Sequence, residues 1–396
     1  MLRRLITKIM LVLWVWNPGK TPLAWRNIVH KKRAAVISVA AVTFAILIMF
    51  MEMGFLNGLY DSQTALVNNL RADLVMVSSA MHNLITQESF KRERLEQVAA
   101  FDGVKQVCPV YIEAGISYIK HPVTGMDNAI RVIGFDLDQP VFLHKEILGR
   151  KELLRCPENV LFDVQSRRYF GKLKIGDRTE LAGRDIGIAG FFSMTSDYYY
   201  DGNMVTSDET FFRVFPNRTP DKAEIGLIQL KPWVRAAAVK KKLQAFLPGD
   251  VEVMTKQEII EREKVAWRKS TPAGYVFAMG VIVGFIIGVI ICYQILYTDI
   301  VDQMRQLATM KALGYHDADL TTLVLQQAVI LGLLGFVPAV VLTLGVYGVL
   351  TAITGIVMKL TVGRVLFMLL LTIGMCLLSG ALAVRKVIKA DPAELF

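Results

Sequence analysis

The 396-residue sequence is poor in the residues that metal and disulfide chemistry require, with four cysteines and five histidines in all. The histidines (His30, His82, His121, His144, His316) include no i, i+4 pair and no neighbouring cysteine cluster, which excludes the common zinc motifs. Two cysteine pairs do not make a disulfide framework. Cys292 and Cys376 fall in apolar runs and read as packing residues, while a bond between Cys108 and Cys156 is left open. A phosphate-binding loop is also missing. Pro18-Gly19-Lys20-Thr21 resembles the end of one, but the loop needs a glycine where this chain has Trp14, so no nucleotide site is expected and no cofactor is assigned to the chain. Charge is scarce, at 20% of residues against 53% hydrophobic, with mean hydropathy +0.41. That excludes disorder and is too apolar for an ordinary soluble enzyme.

The charge-free runs say where the apolar surplus lies. Residues 34–51, 270–298, 320–358 and 365–384 contain no Asp, Glu, Lys or Arg, and no run as long as the shortest of these occurs between Glu52 and Lys269. A membrane-crossing helix needs about 20 mostly apolar residues. Four spans follow, at 34–54, 273–298, 320–353 and 365–384, with a water-soluble block over 55–272 between the first and second.

The net charge of +10 suggests nucleic acid until it is located. Residues 1–33 hold eight basic side chains and no acidic one, which leaves 37 basic against 35 acidic residues in the rest of the chain. Basic residues beside a span favour the cytoplasmic side, so the N-terminal segment 1–33 is expected inside. Four crossings return the tail 385–396 to the same side, where Arg385, Lys386 and Lys389 agree, and put 55–272 outside. The basic group Arg262, Lys264, Arg268 and Lys269 runs against this order, but long translocated domains tolerate such charge. Ile9 to Trp16 is short for a secretion signal and no small-residue cleavage site follows. A basic helix at the cytoplasmic interface is the expected form of this stretch.

Apolar positions Phe55, Leu59, Leu66 and Leu70 continue helical spacing beyond the first span, as a stalk would. A second stalk starts near Lys256. Thr255 and Glu258 have capping-box spacing, Met254 is placed to staple Ile259, and Pro272 predicts a kink. Between the stalks, strand patterns run over 73–77, 115–119, 129–135, 159–162, 179–181, 186–191 and 224–230, and helical patterns over 89–100 and 234–246. The block reads as α+β with a β-rich middle.

Carrier chemistry is absent as well: ion- or proton-coupled carriers need ionisable groups near mid-bilayer, and these spans have none. Gly280, Gly284 and Gly288 form a ladder on one face of the second span, suited to close helix approach within the chain or across a dimer. Between spans two and three, residues 299–319 contain Ile300, Met304, Leu307 and Lys311 at helical spacing, ended by Gly314 at a left-handed C′ position. A short amphipathic helix at the cytoplasmic surface is expected, either as a docking element or as a plain connector.

The run RQLATMKALGY at Arg305–Tyr315, followed by QQAVILGLLG at Gln326–Gly335, resembles the signature of the FtsX/MacB superfamily of ABC-transporter permeases. One span, a large outer domain and three more spans is also that superfamily's layout. The segments TPLAWRNI at Thr21–Ile28, YQILYTD at Tyr293–Asp299 and ADPAELF at Ala390–Phe396 are similar to the DevC permeases of cyanobacterial DevBCA exporters. The resemblance implies a membrane protein of four transmembrane α-helices with a large α+β extracytoplasmic domain, a MacB-like periplasmic core, inserted between helices 1 and 2. It implies a porter-like part at 71–120 and 221–254, a β-rich insertion at 121–220 and a short periplasmic loop at 354–364.

Its functional implications are those of a non-catalytic inner-membrane subunit that moves rather than reacts. ATP and magnesium act through a separate DevA-like ATPase, and the chain pairs with a second copy. A DevB-like membrane-fusion protein and a TolC-like outer-membrane channel complete the efflux path, and nucleic acid has no part. Ile300, Met304 and Leu307 would fill a groove on the ATPase, with Arg305 and Lys311 at its rim. Leu313, Gly314 and Tyr315 would belong to the same ATPase-coupling helix, Gly314 letting the chain turn into span three, and Trp25, Arg26 and Asp391 would share the same cytoplasmic surface. The alternative within the superfamily is an FtsX-like signalling protein that activates a cell-wall hydrolase. A membrane-tethered enzyme is the third reading.

Overall fold

The computed structural model describes residues 32–84, 88–121, 124–167, 170–171, 173–194, 200–270 and 272–388. Helices α1 (Lys32–Gln63) and α2 (Ala65–Asn69) lead into strand β1 (Leu74–Ser78). There follow β2 (Phe90–Lys91), α3 (Glu93–Ala99), β3 (Val104–Glu113), β4 (Tyr118–Lys120), β5 (Asp127–Ala129) and β6 (Arg131–Phe135). Next come α4 (Lys145–Arg150), β7 (Asn159–Asp163), β8 (Arg178–Leu181), β9 (Arg184–Phe192), β10 (Asn203–Ser207) and α5 (Asp208–Val214). Then β11 (Lys222–Ala223), β12 (Ile225–Leu230), α6 (Ala236–Phe246), β13 (Val251–Thr255) and α7 (Lys256–Ser270) close the middle of the chain. Helices α8 (Pro272–Asp302), α9 (Met304–Ala312), α10 (Asp317–Thr354) and α11 (Val362–Ile388) complete it.

Two compact units result. The described residues up to Gly54, Val276–Tyr347 and those from Lys359 onward form a helical unit, and Phe55–Tyr275 with Gly348–Met358 form a sheet unit. Helices α1, α8, α10 and α11 are each long and apolar enough to cross a membrane. Each extends past the span read from the charge-free run, because a helix does not stop where its apolar stretch stops. Pro272 opens α8, where its missing N–H costs no hydrogen bond and its fixed φ suits the first turn; the residue before it, at which the expected kink would fall, lies outside the described residues.

In the sheet unit, eleven strands form one mixed sheet in the order β13-β1-β12-β3-β6-β10-β7-β9-β8-β4-β5, with β2 and β11 paired apart. Alternation explains its double core. Leu74, Met76, Tyr111, Val132, Met204 and Ile228 face one side with α3, α5 and α6, whereas Val75, Val77, Val110, Ile133, Val205 and Leu227 face the other with α2, α4 and α7. Strands covered on both faces read as continuous apolar runs. The segments set apart above as porter-like and insertion therefore share one sheet, joined where β3 pairs with β6 from Val110↔Phe135 to Glu113↔Val132.

Strand β3 is the central element that the sequence pattern hides, because Pro109 sits inside it and proline is normally confined to edges. The register resolves the conflict. The Ile112 N–H points toward the β12 side, where it donates to Glu224 at 2.9 Å, so by alternation Pro109 turns its missing donor toward the β6 side. There the pairing stops one residue earlier, at Val110, and no ladder bond is lost. Cys108 beside it is buried on β3 while Cys156 is exposed, and both are free thiols.

Candidate functional site

The segment joining α8 to α10 is built as a capped elbow. Gln303, with φ −98° and ψ 6°, ends α8 and serves as N-cap to α9. At the far end Gly314 has φ +97°, a value that only glycine takes without strain. Its N–H donates to the Lys311 carbonyl at 3.1 Å and the Tyr315 N–H to the Met310 carbonyl at 3.2 Å, the bond pair of a Schellman cap. Across the turn Lys311 Nζ meets Asp317 Oδ1 at 2.8 Å, and the His316 N–H donates to Asp319 Oδ2 at 3.0 Å, starting α10.

Burial reassigns the apolar stripe of this segment. Ile300 is 2% exposed and Leu307 8% exposed, packed with Leu296, Val324 and Val384 inside the helical unit. The expectation that these two fill a partner's groove is corrected: an apolar stripe at helical spacing marks what is buried, and here the chain's own helices bury it. Met304 is half-buried and Arg305 is exposed. The exposed apolar groups around the turn are Leu313, 75% exposed, and Tyr315, 40% exposed, on either side of Gly314. Together with Arg305 and the weakly held Lys311 they make a small apolar knob with a basic rim, held in one conformation by the cap.

The glycine ladder is used within the chain. A Cβ on Gly280 would come within 2.3 Å of Glu52 Oε2, on Gly284 within 3.1 Å of Met49 Cγ, and on Gly288 within 2.2 Å of Met375 Sδ. The three glycines therefore let α1 and α11 approach α8. The buried polar side chains of the helical unit are Thr43, Gln327, Thr343, Thr372 and Ser379, so no charged group is buried among its described residues. The Thr43 hydroxyl donates to the Gly335 carbonyl at 3.1 Å, and Ser379 to the Val289 carbonyl at 2.9 Å.

In the sheet unit, Lys256 ties α7 to the end of α2. Its ammonium donates to the Asn68 and Leu70 carbonyls at 3.0 and 2.7 Å, and partial burial lowers its pKa. Cations at a helix C-terminus answer the unsatisfied carbonyls there. The capping box of α7 is formed in both directions, Thr255 N–H to Glu258 Oε2 at 2.7 Å and Glu258 N–H to Thr255 Oγ1 at 3.2 Å. Further along α7, buried Glu263 accepts from the Leu84 N–H at 2.9 Å.

Two polar clusters lie elsewhere in the sheet unit. Arg131 donates through Nε to Asn203 Oδ1 at 3.0 Å, and Asn203 Nδ2 donates to Asp163 Oδ2 at 2.8 Å. Arg218 bridges Glu113 at 2.6 Å and Glu224 at 3.3 Å beside a cavity of about 110 Å³ whose floor includes Tyr111 and Phe212. Burial pushes the carboxyls of Glu224 and Glu263 up to about 7, each despite a backbone N–H that favours the charged form. Among the described residues no group of three His, Cys, Asp or Glu is placed to hold a metal ion.

Trp25, Arg26 and Asp391, expected on the same surface as the elbow, lie outside the described residues, as do the Thr21–Ile28 and Ala390–Phe396 segments. Lys256, Glu263, Arg131 and the Glu113–Arg218–Glu224 cluster were not singled out by sequence reasoning. For Lys256 the signal was present in its position beside the capping box. The others are made by residues distant in sequence and left no local trace.

Residues 278–392 match the family described as FtsX-like permease C-terminal, which contains the whole elbow. No curated protein matches the chain. The periplasmic region of MacB from Actinobacillus actinomycetemcomitans is 11% identical at a TM-score of 0.35, over 50% of this chain and 93% of that one. The extracellular domain of the noncanonic ABC-type transporter YknZ from Gram-positive bacteria is 12% identical at a TM-score of 0.32, over 47% of this chain and 100% of that one. Likeness at this level carries no weight for the sheet unit's role.

Proposed function

We propose that the chain is the membrane-spanning permease subunit of an ABC-type exporter, a non-catalytic part driven by a separate ATPase. Supporting it are the FtsX-like segment over 278–392, four helices fit to cross a membrane, and a helical unit with no buried charge among its described residues to serve as an ion or proton site. The observation that carries the reading is the elbow after α8. It leaves Leu313 and Tyr315 exposed on a turn set by the Gly314 cap, a shape suited to a groove on a partner. Arg305 and Lys311 at its rim suit acidic or carbonyl groups of that partner.

In this reading the elbow and both termini are cytoplasmic, and the sheet unit lies on the outer side of an inner membrane. ATP binding and hydrolysis on the partner displace the elbow, and α1 and α8 carry the displacement to the sheet unit. A second copy of the chain completes the exporter. The outer partners are a DevB-like fusion protein and a TolC-like channel, as the resemblance to DevC permeases implies. Co-expression with any ABC ATPase found encoded beside this gene tests the assignment. The full chain is expected to retain that ATPase through detergent purification and a Leu313→Asp variant to lose it; equal retention by both would remove the elbow from the mechanism.

A further inference from the structure

Helices α8 and α11 meet along a seam made close by small residues. Gly288 faces Met375 where a Cβ would come within 2.2 Å of Sδ, and one turn on Ser379 reaches the Val289 carbonyl at 2.9 Å. Beside these contacts Cys292 and Cys376 stand opposite each other, Sγ to Sγ at 4.0 Å and neither exposed to solvent. On its third side Cys376 rests on α10 at Gly332, where a Cβ would come within 2.5 Å of its sulfur. Glycine there leaves room for the sulfur that any side chain would take. A disulfide needs the sulfurs at about 2 Å, so rotation of one or both side chains with a small helix adjustment closes the gap.

We propose that Cys292 and Cys376 are a redox-closable clasp, a site at which a lipid-soluble hydroperoxide oxidises two thiols to one disulfide and fixes α8 to α11. The oxidant class follows from the surroundings: both thiols are buried in a helical unit whose outward faces are apolar, with Ile286, Ile290, Leu370 and Leu377 exposed, so an apolar hydroperoxide that partitions into the bilayer is the class matched to the site. One sulfur attacks the peroxide oxygen, giving a sulfenic acid and the alcohol. The second sulfur then displaces water from the sulfenic acid. Two S–H bonds break, one S–S bond forms, and the two electrons released reduce the O–O bond to the alcohol and water. The pair itself stands apart from the exporter reading; only the consequence for ATP-driven movement rests on it.

The test uses the full chain in liposomes with Cys156 replaced by serine, treated with cumene hydroperoxide. Mass spectrometry of a non-reducing digest is expected to show the peptides of Cys292 and Cys376 joined with the loss of two hydrogens. Reductant should reverse the link, and C292S, C376S or the smaller C376A should prevent it. In complex with its ATPase the oxidised protein should lose about fivefold or more of its ATP turnover, the lower end of ordinary coupling between sites, and regain it on reduction. Absence of the joined peptide overturns the clasp. A joined peptide with unchanged turnover overturns the fixing of α8 to α11 and leaves the exporter reading standing, whereas failure of any ATPase to bind counts against that reading and leaves the mass result to decide the clasp.

Discussion

Leucines six positions apart in the elbow are expected to fail in different ways when replaced. Leu307 is 8% exposed and packs against the interior of the helical unit, so Leu307→Ala removes buried methyl groups and leaves a cavity. Such truncations cost about 2–5 kcal/mol. Leu313, 75% exposed, has little packing to lose, and Leu313→Asp should hold stability within about 0.5 kcal/mol. If Leu313 is an anchor in the ATPase groove, placing a carboxylate there costs about 2 kcal/mol or more of binding, roughly a 30-fold rise in Kd. The assay pairs thermal unfolding of the detergent-solubilised chain with ATPase binding by interferometry. L313D should melt with the wild type and bind weakly, while L307A should melt early and, below its transition, bind normally. An L307A protein that melts with the wild type yet loses the ATPase would refute the burial argument, and an L313D protein that binds fully would refute the docking argument.

Two further expectations concern the sheet unit. The folded pKa of Glu224 and of Glu263 is about 7 against an ordinary 4.5, so between these values the native state binds more protons than the unfolded one and stability falls as pH rises. Each contributes on the order of 3 kcal/mol across that window, and urea unfolding against pH should show the slope flattening above pH 7 and roughly halved in Glu224→Gln; an unchanged slope would contradict the burial effect. Lys256→Met keeps much of the side-chain volume but removes the donor to Asn68 and Leu70, and should cost about 1 kcal/mol while raising hydrogen exchange at the end of α2. Wild-type exchange there would show that the junction is held by packing alone.

The four long apolar helices, the helix over Lys256–Ser270 with its capping box and the Gly314 turn were all legible in the sequence, because each rests on signals within one or two turns of chain: charge-free length, Thr255 with Glu258, or a glycine after a periodic run. Strand β3 was not, because Pro109 argues against a central strand until the register shows which side lacks its donor. Strand β10 and helices α4 and α5 were missed as well, being short segments whose partners lie elsewhere in the sheet. At the elbow the periodicity of Ile300, Met304 and Leu307 identified an apolar face but not what covers it. A stripe facing the chain's own helices and one facing a partner have the same pattern, and only burial separated Leu307 from Leu313.

The central claim is that a push on the elbow becomes movement of the sheet unit. Its most direct test is a pair of spin labels on a cysteine-free background, one at exposed Val164 in the sheet unit and one at exposed Leu342 in the helical unit, with distances read by double electron–electron resonance in the ATPase complex. ATP is expected to shift the distance distribution in the wild-type background and to leave it unchanged in Leu313→Asp. A distribution that ignores ATP in the wild type, or follows it equally in L313D, would contradict the account.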